Sequence, residues 1–343
     1  MTRRSATRLA ATGVALIAAT SLLASCAGEG SGGDEAKGGG SDTLTIDWAT
    51  YNPLSMVIKD QGWLEDELKE DGVKVEWVQS AGSNKANEGL RAGALDVGST
   101  AGSAALLNRS NGSPIKVIGI ADQPEWSAIV TRSDSSIKTA ADLKGKKIAA
   151  TKGTDPYFFL LQALGSADLK PSDVTVENLQ HADGRQALDG KSVDAWAGLD
   201  PIMGAAEADG DELRIRNVDY NTYDTLAATE SFIKDSPETA QTVLDTYEYA
   251  RQWASKNPEK VVDIVARDAA IDPDVAKKVI DERINLDVSV VPGEDQTKVL
   301  SNVGQFLVDS GDVPDADTVK KGLDSLLDPT FAEKADADNI KGE

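Results

Sequence analysis

The chain has 343 residues, with 35 Lys and Arg against 57 Asp and Glu and a formal charge of −22. That length accommodates two domains or one large one, and 40% hydrophobic residues suffice for a sizeable core. The acidic balance excludes nucleic acid as the main partner, a single Cys excludes an intrachain disulfide, and a single His excludes zinc sites built from several His and Cys ligands.

The lone cysteine has a place in the N-terminal pattern. Arg3, Arg4 and Arg8 precede an apolar stretch over 9–23, which ends in Leu23-Ala24-Ser25-Cys26. The stretch is too short to span a bilayer comfortably, so residues 1–25 read as an export signal. Leu-Ala-Ser-Cys at that point resembles a bacterial lipobox, which implies lipidation of Cys26 and anchoring on a membrane surface. Residues 26–42 are dominated by Gly and Ser and read as a flexible tether.

From Thr43 the pattern is α/β. A strand is expected at 44–48, a helix over 54–70 broken at Gly62, a strand at 73–78 and a short helix over 84–92. A strand at 95–98 leads through a Gly/Ser/Thr turn into a helix at 104–109, and another strand follows at 115–120. The order restarts near 132: strand to 150, helix 157–164, strand 174–179, helix from 184, strand 193–197. Alternating strands and helices indicate a parallel or mixed sheet wrapped by helices, here twice over. From Pro237 the chain reads as almost wholly helical, with Pro237 and Pro258 at helix starts.

Three stretches together carry a resemblance. They are 89–98 (GLRAGALDVG), 137–148 (IKTAADLKGKKI) and 190–201 (GKSVDAWAGLDP). In order and spacing they resemble the extracytoplasmic solute-binding proteins of ABC importers, in the branch that binds aliphatic sulfonates, taurine and nitrate. That branch usually has an aromatic residue directly before Asp-Pro, and here Leu199 holds the place. The resemblance implies an α/β, two-lobed periplasmic-binding-protein-like fold of type II, with a ligand cleft between the lobes and a helical C-terminal tail. Residues 43–130 plus 229–343 would form one lobe and 131–228 the other, with crossings near 129–131 and 226–229. It also implies a sulfonate-class anion as ligand, an ABC permease and its ATPase as partners, a monomer, and no catalysis, cofactor or metal.

Helix N-termini present free N–H groups and partial positive charge, which suits an anion whatever the net charge. Four strand-to-helix turns have that chemistry. Thr50, Tyr51 and Asn52 end the first strand. Gly82 precedes the helix at 84. Ser99, Thr100, Ala101 and Gly102 form the small-residue turn at the place where the family binds its ligand. Thr154, Asp155 and Tyr157 are the counterpart in the second block, with Thr154 and Tyr157 expected to face the cleft. Trp126 is a candidate aromatic wall, Trp196 a weaker one that core packing would equally explain. Asp200 either accepts from an amine or hydroxyl on the ligand or caps the next helix.

Other classes fit less well. His181, in Gln-His-Ala-Asp-Gly, forms no triad locally, no Gly-x-Ser-x-Gly elbow occurs, and a solvated loop histidine is expected. A surface adhesin would have no use for small-residue turns at strand ends. Within the binding-protein class, the alternative ligands are nitrate or bicarbonate, and a thiamine-precursor pyrimidine or another aromatic heterocycle, on which Trp48, Tyr51, Trp126 and Tyr157 would stack.

Overall fold

A computed structural model describes residues 42–342. The export signal, Cys26 and nearly all of the tether lie outside the described residues.

The first block is β1 (Thr43–Trp48), α1 (Pro53–Gln61), α2 (Trp63–Lys69), β2 (Lys74–Gln79), α3 (Ser83–Ala92), β3 (Val97–Ala101), α4 (Gly102–Ser110) and β4 (Ile115–Pro124). The second is β5 (Ser127–Thr131), β6 (Lys147–Ala150), α5 (Asp155–Ser166), β7 (Thr175–Asn178), α6 (His181–Asp189), β8 (Ala195–Leu199), α7 (Ile202–Ala208) and β9 (Glu212–Ile215). Then come β10 (Asp224–Thr229), α8 (Glu230–Asp235), α9 (Pro237–Lys256), α10 (Pro258–Ala269), α11 (Pro273–Arg283), β11 (Ile284–Asn285), α12 (Glu294–Asp309) and α13 (Ala316–Leu326). Local chemistry sets several of these ends. Asn52 caps α1 by accepting from Ser55 N, and Pro53 takes the first helical position. Gly62, at φ 72°, ends α1 in the left-handed region and lets α2 start at a new angle.

The strands form two sheets, ordered β11-β4-β10-β3-β1-β2 and β7-β6-β8-β5-β9. Each has a parallel trio, β2-β1-β3 and β7-β6-β8, extended by an antiparallel strand, β10 and β5 respectively. The repeated strand–helix order in the sequence is thus a repeated topology. Parallel strands need crossover helices, which is why both blocks alternate.

The passages between sheets differ from expectation. Residues 129–131 belong to β5, paired on both sides in the second sheet, and 226–229 belong to β10, paired on both sides in the first. The chain instead crosses between Pro124 and Ser127, and returns between Ile215 and Asp224. Short apolar β-branched runs look alike whether they bridge sheets or sit inside one. The stretch 98–103, expected as a turn, is the end of β3 running directly into α4.

Helices α1, α2, α9 and α10 bury the largest apolar cluster on the first sheet. A second cluster joins α5 and β6 to Leu106 of α4 and to Leu300, Val303 and Leu307 of α12. The helical tail therefore packs on elements of both sheets.

Candidate functional site

The residues after β1 and β3 meet those after β6 and at the end of β8 between the two sheets. The β1–α1 and β3–α4 loops are knitted together. Tyr51 Oη donates to Ser99 O at 3.0 Å and Asn52 Nδ2 donates to Ser99 Oγ at 2.9 Å. Ser99 donates from N and Oγ to Asp47 Oδ1, at 2.7 and 3.1 Å. Thr100 is fully buried, its carbonyl accepting from Thr225 Oγ1 at 2.7 Å across the sheet. Ala101 N donates to Ser83 Oγ at 2.9 Å, and Gly102 N to Tyr223 O at 2.9 Å. A Cβ on Gly102 would stand 3.1 Å from Leu300. These four residues form a packed strand end under the cleft rather than an open loop.

Asp155, the first residue of α5, is the point where the halves lock. Its carboxylate accepts from Ser103 Oγ (2.5 Å), Trp126 Nε1 (2.8 Å), Thr222 N (2.7 Å) and Thr222 Oγ1 (2.8 Å). Burial pushes its carboxyl up, and these four donors oppose the rise by favouring the charged form. Trp126 stands edge-on to Tyr51, 5.9 Å between centroids at 82°, and both pack with Ala49, Ala101, Ala104 and Leu199. Leu199 thus fills the position of the family's aromatic residue in an apolar wall. Thr50 and Asp200 border a cavity of about 10 Å³ beside Tyr51 and Trp126, with room for about one water. Thr154 spends its hydroxyl on Thr151 O at 2.6 Å.

Two expectations, those for Tyr157 and His181, are corrected, and of the two roles open to Asp200 the structure shows the helix cap. Tyr157 does not face the cleft. It packs in the α5–α12 cluster, and burial pushes its hydroxyl up to about 12. Asp200 faces Arg283 of α11, which donates from Nη1 to both carboxylate oxygens at 3.0 and 3.1 Å. Its Oδ1 also accepts from Gly204 N at 2.9 Å, so it caps α7 as well. Burial raises the Asp200 pKa to about 6, with Arg283 pulling the other way. His181 is not solvated but 1% exposed at the start of α6, with Nδ1 3.2 Å from Thr151 Oγ1. Burial lowers its pKa to about 3, holding the ring neutral. Trp196 is fully buried in the second sheet's own core, as packing alone would have it.

Gly82 lies against His181. A Cβ there would stand 2.9 Å from His181 Nε2 and 2.8 Å from Asn84 Oδ1. Under the cleft floor sits a group that sequence reasoning missed. Asp47, Asp122 and Asp224, on β1, β4 and β10, are all at most 1% exposed, and both oxygens of Asp122 and of Asp224 lack a hydrogen-bond partner. Burial raises Asp47 to about 6 and Asp122 to about 7, and pushes Asp224 well up, with Asp122 repelling it. No local signal marks these acids, because strand register alone sets Asp224 opposite Asp122. Among the described residues no group of three or more His, Cys, Asp or Glu is arranged to hold a metal ion, and no helix is long and apolar enough to cross a membrane.

The buried convergence of small-residue strand ends and helix starts from two sheets suits capture of a small ligand between lobes. Comparison with known proteins agrees. Residues 55–261 match the NMT1/THI5 like family, and the chain belongs to it. A candidate aliphatic sulfonates-binding protein of Bacillus subtilis is 27% identical over 327 residues, spanning 91% of this chain and 96% of that protein. The taurine-binding periplasmic protein of Escherichia coli is 28% identical over 56% of this chain and 61% of its own length. Among solved structures, the alkanesulfonate-binding protein SsuA of Xanthomonas axonopodis, bound to MOPS, superposes with a TM-score of 0.75 at 23% identity, covering 82% of this chain and 98% of that one. SsuA of Escherichia coli gives 0.71 at 24% identity, covering 84% and 93%. The fold is the periplasmic-binding-protein fold. The desulfurization enzyme DSZB shares it, with a TM-score of 0.62, so the fold by itself does not decide between binding and catalysis.

Proposed function

We propose that this chain is the substrate-binding subunit of an ABC importer, capturing aliphatic sulfonates or the closely related taurine and delivering them to a membrane permease and its ATPase. The observation that carries the reading is Asp155. A carboxylate on α5 that gathers Ser103, Trp126 and Thr222 ties the second sheet's helix start to the first sheet's β3–α4 junction, so the clamp closes through one residue. The near full-length likeness to the Bacillus protein supports the ligand class. Ligand that touches both halves stabilises the closed arrangement by differential affinity. Lobes of 43–130 plus 229–343 and of 131–228, with the edges moved to the sheet crossings at 124–127 and 215–224, are part of this proposal.

Binding without catalysis is part of this proposal. His181 is neutral, its Nδ1 meets only Thr151, and no nucleophile adjoins Nε2. The protein acts as a monomeric binder, held outside the cell by lipid on Cys26. Thermal unfolding of the full chain with taurine, short alkanesulfonates, nitrate, sulfate, bicarbonate and pyrimidine precursors tests the ligand. A ligand at about 100 times its Kd adds about 2.7 kcal/mol of stability. A sulfonate-selective rise supports the reading. A rise only with heterocycles moves the ligand to the class that the Tyr51–Trp126 pair would stack. Cys26→Ser is expected to release the protein from membranes into the soluble fraction.

A further inference from the structure

His181 has a defined hydrogen-bonding polarity. Thr151 Oγ1 lies 2.7 Å from Leu179 O and 3.2 Å from Nδ1; with its proton given to Leu179 O it would present a lone pair to the ring, and Nδ1 would carry the imidazole hydrogen. Nε2 is then a bare acceptor. It is buried and has no hydrogen-bond partner, and neither has Oε1 of the preceding Gln180 or Asn84 Oδ1 on α3. Nε2 and Asn84 Oδ1 flank Gly82 from opposite sheets, each within 3 Å of the place a Cβ would take. Three buried acceptors without a donor disfavour an anionic headgroup at this spot and call for an N–H or O–H. Asp200, which the sequence left between ligand acceptor and helix cap, is already spent on Arg283 and Gly204.

We propose that His181 Nε2, flanked by Asn84 and Gln180, is the specificity-determining acceptor for a donor group on the ligand's carbon chain, so that the receptor selects amino- or hydroxyalkanesulfonates over unsubstituted ones. This rests on the sulfonate reading. With the anionic head at the helix starts of the cleft, the far end of a two-carbon chain would reach Nε2 only with Gly82 and His181 moved apart, since they pack against each other here. Loss of one buried hydrogen bond corresponds to about a tenfold change in affinity.

The test is calorimetric titration of the untagged full chain with taurine, isethionate and ethanesulfonate, three probes of equal chain length. Taurine or isethionate is expected to bind about tenfold more tightly than ethanesulfonate. That ratio should collapse towards one in His181→Phe and recover in part in His181→Gln, which restores an acceptor. Three equal affinities, or a ratio that His181→Phe leaves unchanged, overturns the proposal and spares the sulfonate reading. Binding of none of the three overturns both. Because the chain has one histidine, ¹⁵N-imidazole NMR reads its tautomer without assignment, even where the Phe variant does not fold. A proton on Nε2 in the neutral ring also overturns the proposal, whereas a free Nε2 whose resonance moves with taurine or isethionate and not with ethanesulfonate supports it.

Discussion

Arg283 of α11 and Asp200 at the end of β8 form a buried ion pair, 3.0 Å apart, with side chains 0% and 3% exposed. Arg283 also pairs with Glu207 of α7, which Lys278 of α11 reaches at 3.0 Å. The tail that follows the first sheet thereby grips the second sheet at the Asp-Pro motif. Removing one partner of a buried pair leaves the other charge uncompensated, at a cost of about 3–5 kcal/mol. Arg283→Met is expected to lose about that much in urea unfolding. The loss should be smaller at pH 5 than at pH 8, because an unpaired Asp200 escapes by taking up a proton. A loss below about 1 kcal/mol would show that the pair is not the grip described.

The buried acids beneath the cleft make stability depend on pH with a definite sign. Asp47, Asp122 and Asp224 face Tyr51, Tyr247 and Arg251, with Asp155 also acting on Asp224. Their folded pKa values lie above the unfolded value of about 3.9. The folded state therefore holds more protons in the intervening range, and stability falls as pH rises from about 4 towards the folded values of about 6 and 7. Melting temperatures from pH 4.5 to 8 should show this slope, superimposed on those of the other groups. Asp224→Asn, which mimics the protonated acid, should flatten it. An identical slope in that variant would mean that Asp224 is not protonated in the fold.

Gly82 is fitted to the closed arrangement by sterics. Its backbone is extended, at φ 162°, so alanine incurs no conformational strain in itself. The added methyl would meet His181 Nε2 at 2.9 Å and Asn84 Oδ1 at 2.8 Å. Gly82→Ala is expected to weaken ligand binding at least about tenfold and to lower the melting temperature as well, since the methyl meets Asn84 within its own half and His181 across from it. Unchanged affinity would show that the halves need not approach this closely.

Asp155→Asn is nearly isosteric but turns an amide towards donors. Ser103, Trp126 and Thr222 all donate to this carboxylate, so at least one N–H or O–H loses its acceptor. A loss of about 2–3 kcal/mol is expected, with a shift of Trp126 emission as its indole N–H is released. Stability within about 0.5 kcal/mol of wild type would remove Asp155 as the lock.

Local pattern carried much of this far. Asn52 with Pro53, the Gly62 break and the prolines at 237 and 258 set helix ends through neighbours a few residues away, and they are legible for that reason. The same holds for the doubled strand–helix order, which became two sheets of like topology. The candidate residues lie where small or polar residues end strands, and Tyr51, Ala101 and Trp126 pack together there. What they do there was less legible. Tyr157 turns towards α12, Thr100 lies inside the sheet and Asp200 meets Arg283, 83 residues away.

The sequence by itself determined the α/β class, the two-block order, the family and the loops from which a site would be built, because periodicity, capping and turn chemistry act over a few residues. Only the tertiary structure decided that His181 is buried with an unpartnered Nε2, that Asp155 gathers donors from both sheets' segments and that three acids share one strand layer. Each of those depends on strand register and on contacts between distant segments, where burial, not residue type, sets the charge and the free lone pair.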